Sequence, residues 1–234
     1  MCSSDLIASE YRYRQAYIPE NSVALIVSQS GETADTLEAV KIAKKYGSYT
    51  LGIINVKESS IARVVDQVIY TEAGSEVAVA TTKAYLAQVL VLALLVYEAK
   101  KNDKITEMKN FLADLKKLPV IIQNVLSREN EYKEIAQVLY DEKDIFYIGR
   151  RIDYALCMEG SLKIKEISYI HSEAYPAGEL KHGTISLIDS GVPVVSIVSD
   201  ESIANKTISN LKEVKARNAY VIYITTQKLD TKGD

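Results

Sequence analysis

Short apolar runs alternate along this chain with longer segments in which apolar residues recur every three or four positions. The first pattern is typical of buried strands and the second of helices with one apolar face. The predicted strands are Val23–Val27, Tyr49–Asn55, Gln67–Thr71, Asp144–Ile148, Val192–Val198 and Tyr220–Thr225. The predicted helices are Thr33–Tyr46, Ser59–Val65, Val77–Lys101, Tyr154–His171, Glu179–Leu187 and Ile203–Ala216. Because strands and helices alternate, the sequence predicts an α/β fold with a parallel sheet.

A charged stretch separates two such alternating regions. Residues 103–142 are rich in charge and are interrupted by Pro119, which predicts a helical connector. The segment from Val23 to Asn55 can also be laid over the segment that begins at Val192, since both give a strand, a Val-Ser pair, a polar turn, a helix and a strand. We therefore expect two related domains, at residues 1–125 and 126–234.

A turn rich in hydroxyl groups joins the first strand to the first long helix. It reads Ser28-Gln29-Ser30-Gly31-Glu32-Thr33. N–H groups at a helix start lack partners within the helix and attract anions, the hydroxyls add donors, and glycine lets the backbone approach a ligand. No GxxxxGK[ST] motif is present, so a single phosphate fits better than a triphosphate. The same groups could equally cap the helix, with Ser30 or Thr33 as the N-cap residue.

The corresponding turn of the second copy carries Asp200 and Glu201 and has no glycine. Carboxylates at this position would repel a phosphate. We expect the first turn to bind an anion and the second to be structural.

Candidate catalytic groups lie in the second half of the chain. Glu159, Lys163 and Glu166 fall on one face of a predicted helix, while Leu162, Ile164 and Ile167 point largely elsewhere and can pack. The pair Lys163–Glu166 is either an ordinary surface ion pair or, in a cleft, a general base held by a lysine. His182 lies between two glycines and is either an acid–base group or a structural histidine.

Composition excludes several other classes of protein. The chain is 47% hydrophobic and 25% charged with a net charge of −3, which describes a globular protein without a basic surface for nucleic acid. The longest apolar stretch is shorter than the roughly 20 residues of a membrane span. Two cysteines, Cys2 and Cys157, make no disulfide framework, and no metal-ligand spacing appears. We expect a cytoplasmic protein with no metal.

Three segments resemble a known family closely. They are SQSGETADTLEA at 28–39, GSEVAVATTKAY at 74–85 and MEGSLKIKEISYIHSEAYPAGELKHG at 158–183. From about Ile7 to its end, the chain resembles the isomerase half of the glutamine–fructose-6-phosphate aminotransferases. That half is a tandem of sugar isomerase (SIS) domains, each a flavodoxin-like, three-layer αβα fold. The resemblance implies a homodimer that binds fructose 6-phosphate and yields glucosamine 6-phosphate, without a cofactor.

The resemblance also implies a role for individual residues. The phosphate of fructose 6-phosphate would be held by Ser28, Gln29, Ser30 and Thr33. Val79 and Thr81 would line the sugar site, where the family commonly has serine at the second position. Glu166 would move a proton between C1 and C2 with help from Lys163, and His182 would open the sugar ring at the neighbouring subunit's site.

Parts of the family pattern are absent from this sequence. Cys2 stands where the family's glutaminase domain has its nucleophile, but the residues after it do not match, so we interpret Cys2 as incidental. The opening strand and helix of the first SIS domain, with their Gly-Thr-Ser loop, and the C-terminal tail with its lysine are also missing. We therefore expect a fragment with two incomplete domains, no glutaminase part and impaired activity on its own.

Two other functions remain open. One is a sugar-phosphate-binding SIS regulator without turnover, although a sensor needs no base such as Glu166. The other is a stand-alone SIS deglycase or isomerase.

Overall fold

A computed structural model describes residues 6–14, 18–19, 21–102 and 105–226, with the side chains of 105–108 not included. Contacts divide the chain into two compact units, Met1–Pro119 and Val120–Asp234. The predicted domain boundary at 125/126 falls near the end of a helix, Leu118–Leu126, and stays a prediction. Cys2 lies outside the described residues.

The first unit contains a three-stranded parallel sheet. Its strands are β1 (Val23–Ser28), β2 (Tyr49–Ile54) and β3 (Gln67–Tyr70), in the order β1-β2-β3. Its helices are α1 (Ala8–Tyr11), α2 (Ala34–Lys45), α3 (Lys83–Lys100) and α4 (Ile105–Leu115). Ser28 pairs with Ile54, so the ends of β1 and β2 lie side by side. Ile26, Val40, Ile54 and Ile61 form the core under this edge.

Helix α5 (Leu118–Leu126) crosses the division between the units, and the second unit then begins with α6 (Glu129–Leu139). Its strands are β4 (Asp144–Gly149), β5 (His171–Pro176), β6 (Pro193–Val198) and β7 (Tyr220–Thr225), which form a parallel sheet in the order β5-β4-β6-β7. Helix α7 (Ile152–Ser168) follows β4, and α8 (Ala204–Lys215) joins β6 to β7. Two 3₁₀ helices, Ala177–His182 and Thr184–Leu187, follow β5.

Both faces of the second sheet are covered. Alternate residues of a strand point to opposite faces, and in β4 Ile145 and Tyr147 pack with Cys157 of α7. Phe146 and Ile148 pack on the other side in the cluster that includes Leu211 of α8. This arrangement is a helix–sheet–helix sandwich. The predicted α/β fold with parallel sheets is confirmed.

Four predicted elements differ from the structure. Residues 59–65 form turns instead of a helix, and the Ile61 N–H donates to the carbonyl of Gly31 at 2.9 Å. The helix predicted from Val77 begins only at Lys83. The helix predicted to His171 ends at Ser168, where Tyr169 adopts a left-handed conformation with φ of 61°. The helix predicted over 179–187 is two 3₁₀ helices, which Gly183 separates with φ of 128°.

Strand β5 was not predicted from the sequence. It begins at His171 and pairs with β4 alone, so it is an edge strand with only partial burial. In the described part of the chain, no helix combines the length and apolar character that crossing a membrane requires.

Candidate functional site

The polar turn of the first unit lies where β1 ends and α2 begins. Ser28 is the last residue of the strand, and Thr33 is the N-cap residue of α2. The turn is closed by its own hydroxyls, because the Gly31 N–H donates to Ser28 Oγ at 3.0 Å and the Glu32 N–H donates to Ser30 Oγ at 3.2 Å. Ser28 is buried, whereas Ser30 is half-buried and Thr33 is exposed.

Neither candidate hydroxyl caps α2. Thr33 makes no side-chain capping hydrogen bond, and the Ser30 hydroxyl is bonded to an amide that precedes the helix. The first N–H groups of a helix have no partner within it. Thr33 thus occupies the predicted N-cap position without a side-chain cap, which leaves the start of α2 able to receive an anion.

Gly31 is required by the shape of the turn. It has φ of +67°, a conformation that costs free energy for residues with a side chain. A Cβ atom at this position would lie 2.0 Å from the Oγ atom of Ser59. The glycine therefore lets the segment around Ser59 pack directly against the turn.

Two residues outside the turn, Asn55 and Ser60, support it and were not predicted from the sequence. The backbone N–H of Asn55, just after β2, donates to the backbone carbonyl of Gln29 at 3.2 Å. The Asn55 side chain forms hydrogen bonds with residues 71, 73 and 74. Glu32 accepts a hydrogen bond from the Ser60 N–H at 2.8 Å. The hydrogen bond with Ser60 lowers the pKa of Glu32, so this carboxylate is charged and turned toward the segment 59–61.

The predicted sugar-lining residues lie in the irregular segment that precedes α3. Val79 is 98% exposed and Thr81 is half-buried. The start of α3 is set by Glu76, whose carboxylate accepts a hydrogen bond from the Ala84 N–H at 3.3 Å. Among the described residues, no hydrogen bond joins Val79 or Thr81 to the turn at 28–33, so their role stays a prediction.

The acidic and basic residues of the second unit do meet on one face of α7. The Lys163 ammonium lies 2.5 Å from Glu166 Oε2 and 3.5 Å from Glu159 Oε1. The Lys163 side chain is 20% exposed and that of Glu166 is 32% exposed. Lys163 is therefore more enclosed than an ordinary surface lysine, while the carboxylate of Glu166 keeps access to solvent or to a ligand.

Lys163 is held in its charged form by its neighbours. Desolvation lowers the pKa of Lys163, but the hydrogen bond to Glu166 and the charges of Glu159 and Glu166 outweigh it, and the net result is a raised pKa. A lysine that stays protonated can donate hydrogen bonds to a carboxylate and orient it, but it does not act as a base at neutral pH. Of the pair, Glu166 is the group with the chemistry of a general base.

The apolar residues beside this cluster do not all pack as predicted. Ile164 packs on the core of the second unit, in agreement with the prediction. Leu162 and Ile167 are 43% and 65% exposed, so the prediction that they pack is wrong within this unit. They leave apolar surface next to Lys163 and Glu166.

His182 and Cys157 have opposite surroundings. His182 ends a 3₁₀ helix, is exposed, and has no hydrogen-bond partner among the residues that the structure describes. It is free to act on a ligand or on a neighbouring molecule. Cys157 is buried in the core of the second unit, where desolvation raises the pKa of its thiol to about 12, which excludes it as a nucleophile.

The turn of the second copy, which follows β6, is filled by the protein's own carboxylates. Asp153 is buried and accepts hydrogen bonds from the Ser199 N–H at 2.9 Å and the Ser199 hydroxyl at 2.5 Å. Asp200 accepts hydrogen bonds from the N–H and the hydroxyl of Ser202. The N–H and hydroxyl groups of Ser199 and Ser202 are thus already occupied by the protein's own carboxylates, in agreement with the prediction that this turn is structural. Within the described residues, no cluster of side chains could hold a metal ion.

Comparison with known proteins gives a consistent result. The SIS domain family matches residues 6–97 and 138–232. A curated relative from Caldanaerobacter subterraneus, named glutamine–fructose-6-phosphate aminotransferase (isomerizing), is 47% identical over 94% of this chain. A relative of the same name from Fusobacterium nucleatum is 50% identical over 92% of this chain. The chain spans 37% and 36% of the length of these two relatives.

Solved structures support the same fold. The C-terminal domain of glucosamine-fructose-6-phosphate aminotransferase from Francisella tularensis superimposes with a TM-score of 0.91 at 38% identity, covering 95% of this chain and 64% of that one. The solved structure of a candidate phosphosugar isomerase from Silicibacter pomeroyi has a TM-score of 0.82 at 24% identity, and this similarity bears on the fold alone. The resemblance to the isomerase half of the aminotransferases is confirmed.

Proposed function

Since this chain belongs to the SIS domain family, we propose that it is the isomerase part of a glutamine–fructose-6-phosphate aminotransferase. Its substrate would be fructose 6-phosphate or the imine formed from it with ammonia. The imine would give glucosamine 6-phosphate, and the free ketose would give the corresponding aldose phosphate. The ammonia would come from a glutaminase part outside this chain. The observation that carries the proposal is the turn at 28–33, which presents hydroxyls at the start of a helix that neither Ser30 nor Thr33 caps.

The turn would hold the phosphate group. A phosphate at the start of α2 would accept hydrogen bonds from amides that lack partners within the helix, and Ser30, Thr33 and Gln29 can donate to its oxygens. Ser28 would act mainly through the turn, because its buried hydroxyl already accepts the Gly31 N–H. Val79 and Thr81 would contact the sugar.

Glu166 would serve as the base of the isomerisation. In the forward direction a carboxylate removes a proton from C1, the electron pair forms a C1–C2 double bond, and the carbonyl or imine at C2 takes up a proton. Glu166 then returns a proton to C2, and the hydroxyl at C1 gives up its proton to solvent as the C1 carbonyl of the aldose forms. Lys163 would donate hydrogen bonds to Glu166, keep it oriented and assist the proton transfer, and its raised pKa supports a role as a cation.

His182 would open the sugar ring at the site of a second copy. Its exposure and lack of a partner among the described residues support an action outside its own unit. The exposed apolar side chains of Leu162 and Ile167 support a dimer, because association would remove them from water. We place the protein in the cytoplasm, and the chemistry needs no cofactor beyond these groups.

Exchange at C1 tests the proposal directly. The protein encoded by the complete reading frame that contains this chain is incubated with fructose 6-phosphate in D₂O, and the C1 protons are followed by NMR. We expect enzyme-dependent loss of one C1 proton and slow appearance of glucose 6-phosphate, with no exchange in fructose. Binding of fructose 6-phosphate without any exchange would contradict the isomerase proposal and favour a regulator that only binds the sugar.

A further inference from the structure

A cavity of about 260 Å³ opens in the second unit, where strands β4 and β5 end and α8 begins. Its walls combine two apolar side chains with four charged ones. They are Pro176, Ile203, Arg150, Arg151, Lys206 and Glu179. Crevices at the carboxyl ends of parallel strands are the usual ligand sites of α/β folds.

The charge of this cavity is positive. Arg151 is neutralised by Asp200, whose carboxylate lies 3.0 Å from its guanidinium. No ion pair of Arg150 or Lys206 with an acidic group is found among the described residues. Glu179 supplies one negative charge against these two cations, so one positive charge remains uncompensated.

Arg150 is held in place at the cavity wall. Its Nη2 atom donates to Asn210 Oδ1 at 2.8 Å, and Asn210 is itself buried. The guanidinium lies against the backbone of Gly178, where a Cβ atom would be only 3.0 Å from Nη2. Its Nε atom is buried without an acceptor among the described residues. A guanidinium that is fixed in this way loses little side-chain entropy when it binds an anion.

We propose that this cavity is a second phosphate site, which takes the phosphate monoester of a small molecule and is separate from the turn at 28–33. Arginine and lysine together favour a phosphate, because the planar guanidinium can bind two oxygens and the ammonium adds a point charge. Pro176 and Ile203 provide apolar contact for a short carbon skeleton. The volume lies below the roughly 300–1,000 Å³ of sites for drug-sized ligands, so the ligand is small.

The proposed second site would bind its anion through charged side chains, whereas the turn at 28–33 would bind a phosphate through backbone amides and neutral side chains. The turn beside the cavity at 199–202 has its donors occupied by Asp153 and Asp200, so a ligand here depends on Arg150 and Lys206. The two phosphate sites therefore make different predictions for substitution. Removal of a hydroxyl from the turn at 28–33 leaves the second site intact.

NMR titration of the whole chain with inorganic phosphate and with glycerol 3-phosphate tests this assignment. Ionic strength is kept constant with sodium chloride, and the backbone amides of residues 149–151 and 176–179 are followed. We expect both anions to shift these amides in the wild-type protein, with the monoester binding more tightly because it also contacts Pro176 and Ile203. The Ser30→Ala variant should show the same shifts at these residues.

Lys206→Met is the decisive variant, because this side chain is exposed and its loss should not affect folding. Its matched control is Lys212→Met, which removes an equal charge from another exposed position of α8. Loss of one charged hydrogen-bond donor should weaken binding about tenfold in Lys206→Met and leave it unchanged in Lys212→Met. Equal affinities in the two variants, or no shift of these amides at millimolar anion, would overturn the proposal. If inorganic phosphate binds and glycerol 3-phosphate does not, the proposal that the cavity takes a phosphate monoester would be overturned.

Discussion

The ammonium of Lys163 lies 2.5 Å from a carboxylate oxygen of Glu166, one helical turn along α7. A second carboxylate, that of Glu159, lies 3.5 Å from the same ammonium on its other side. The lysine thus holds two acids on one face of the helix, and only one of them is proposed to act as a base. This arrangement allows the two carboxylates to be compared directly.

The first prediction concerns the hydroxyl of Ser30. Replacement of Ser30 by alanine should weaken binding of fructose 6-phosphate about tenfold, since one hydrogen bond to a charged phosphate is lost. Binding of unphosphorylated fructose should not change. Isothermal titration calorimetry measures both, and Ser190→Ala, an exposed serine of the second unit, is the control. Unchanged affinity of Ser30→Ala would remove this hydroxyl from the phosphate site.

The second prediction concerns Gly31. Alanine at this position has an unfavourable φ and also overlaps Ser59, so Gly31→Ala should lower the free energy of unfolding by more than the roughly 1–3 kcal/mol of backbone strain alone. Gly47→Ala is the matched control, because Gly47 has φ of +79° with no heavy atom within 4 Å of the added Cβ. Urea unfolding of both variants measures the difference.

Substitution of Ser59 by glycine then tests the cause. It removes the Oγ and Cβ atoms that the new methyl group would meet, so it should recover part of the stability lost in Gly31→Ala. If Gly31→Ala and Gly47→Ala lower the free energy of unfolding by equal amounts, the contact with Ser59 does not constrain the turn.

The position of the turn at 28–33 could be predicted from the sequence, but its contacts with Ser59 and Asn55 could not. The run of apolar residues before Ser28 and the glycine after it were enough to place the turn between a buried strand and a helix. Ser59 and Asn55 could not be found in this way, because they reach the turn only through the pairing of β1 with β2. Strand β5 was missed for another reason: as an edge strand it is only partly buried and carries polar residues such as Ser172 and Glu173.

The candidate base shows the same limit. Helical periodicity alone placed Glu159, Lys163 and Glu166 on one face of a helix. It could not distinguish an exposed ion pair from a partly enclosed one, because enclosure depends on segments that are distant in sequence. The exposed fractions of Lys163 and Glu166 supply that information.

The third prediction concerns the strained backbone of Arg151. This residue has φ of 55° and ψ of −123°, a combination that glycine adopts at much lower cost. Arg151→Gly should raise the free energy of unfolding by about 1 kcal/mol, because relief of strain exceeds the small contribution of the exposed ion pair with Asp200. Urea unfolding measures the change, with Arg151→Ala as the variant that loses the ion pair and keeps the strain. A less stable Arg151→Gly protein would contradict this account.

The fourth prediction concerns acid sensitivity of the first unit. The hydrogen bonds from Lys44 and Thr50 hold the pKa of Asp66 well below its ordinary value of 3.8. A depressed pKa in the folded state means that the ionised carboxylate stabilises the protein above pH 3.8 and that this contribution is lost as pH falls toward the folded-state pKa. The wild type should therefore exceed Asp66→Asn in stability near neutral pH, and the difference should shrink below about pH 4.

Urea unfolding of both proteins between neutral and acidic pH measures this difference. Asp114→Asn is the control, because it removes a carboxylate whose ion pair with Lys117 is exposed and contributes little to stability. A difference between wild type and Asp66→Asn that is constant over the whole range would contradict the contribution of the ionised Asp66.

The most direct test of the central claim compares Glu166→Gln with Glu159→Gln in the protein encoded by the complete reading frame. Both substitutions remove a carboxylate that contacts Lys163, but only Glu166 is proposed to take the proton from C1. Exchange at C1 of fructose 6-phosphate, followed by NMR in D₂O, should fall at least about a hundredfold in Glu166→Gln. Calorimetric affinity for fructose 6-phosphate should stay near that of the wild type, and Glu159→Gln should keep most of the exchange. Retained exchange in Glu166→Gln, or an equal loss in the two variants, would contradict the assignment of Glu166 as the base.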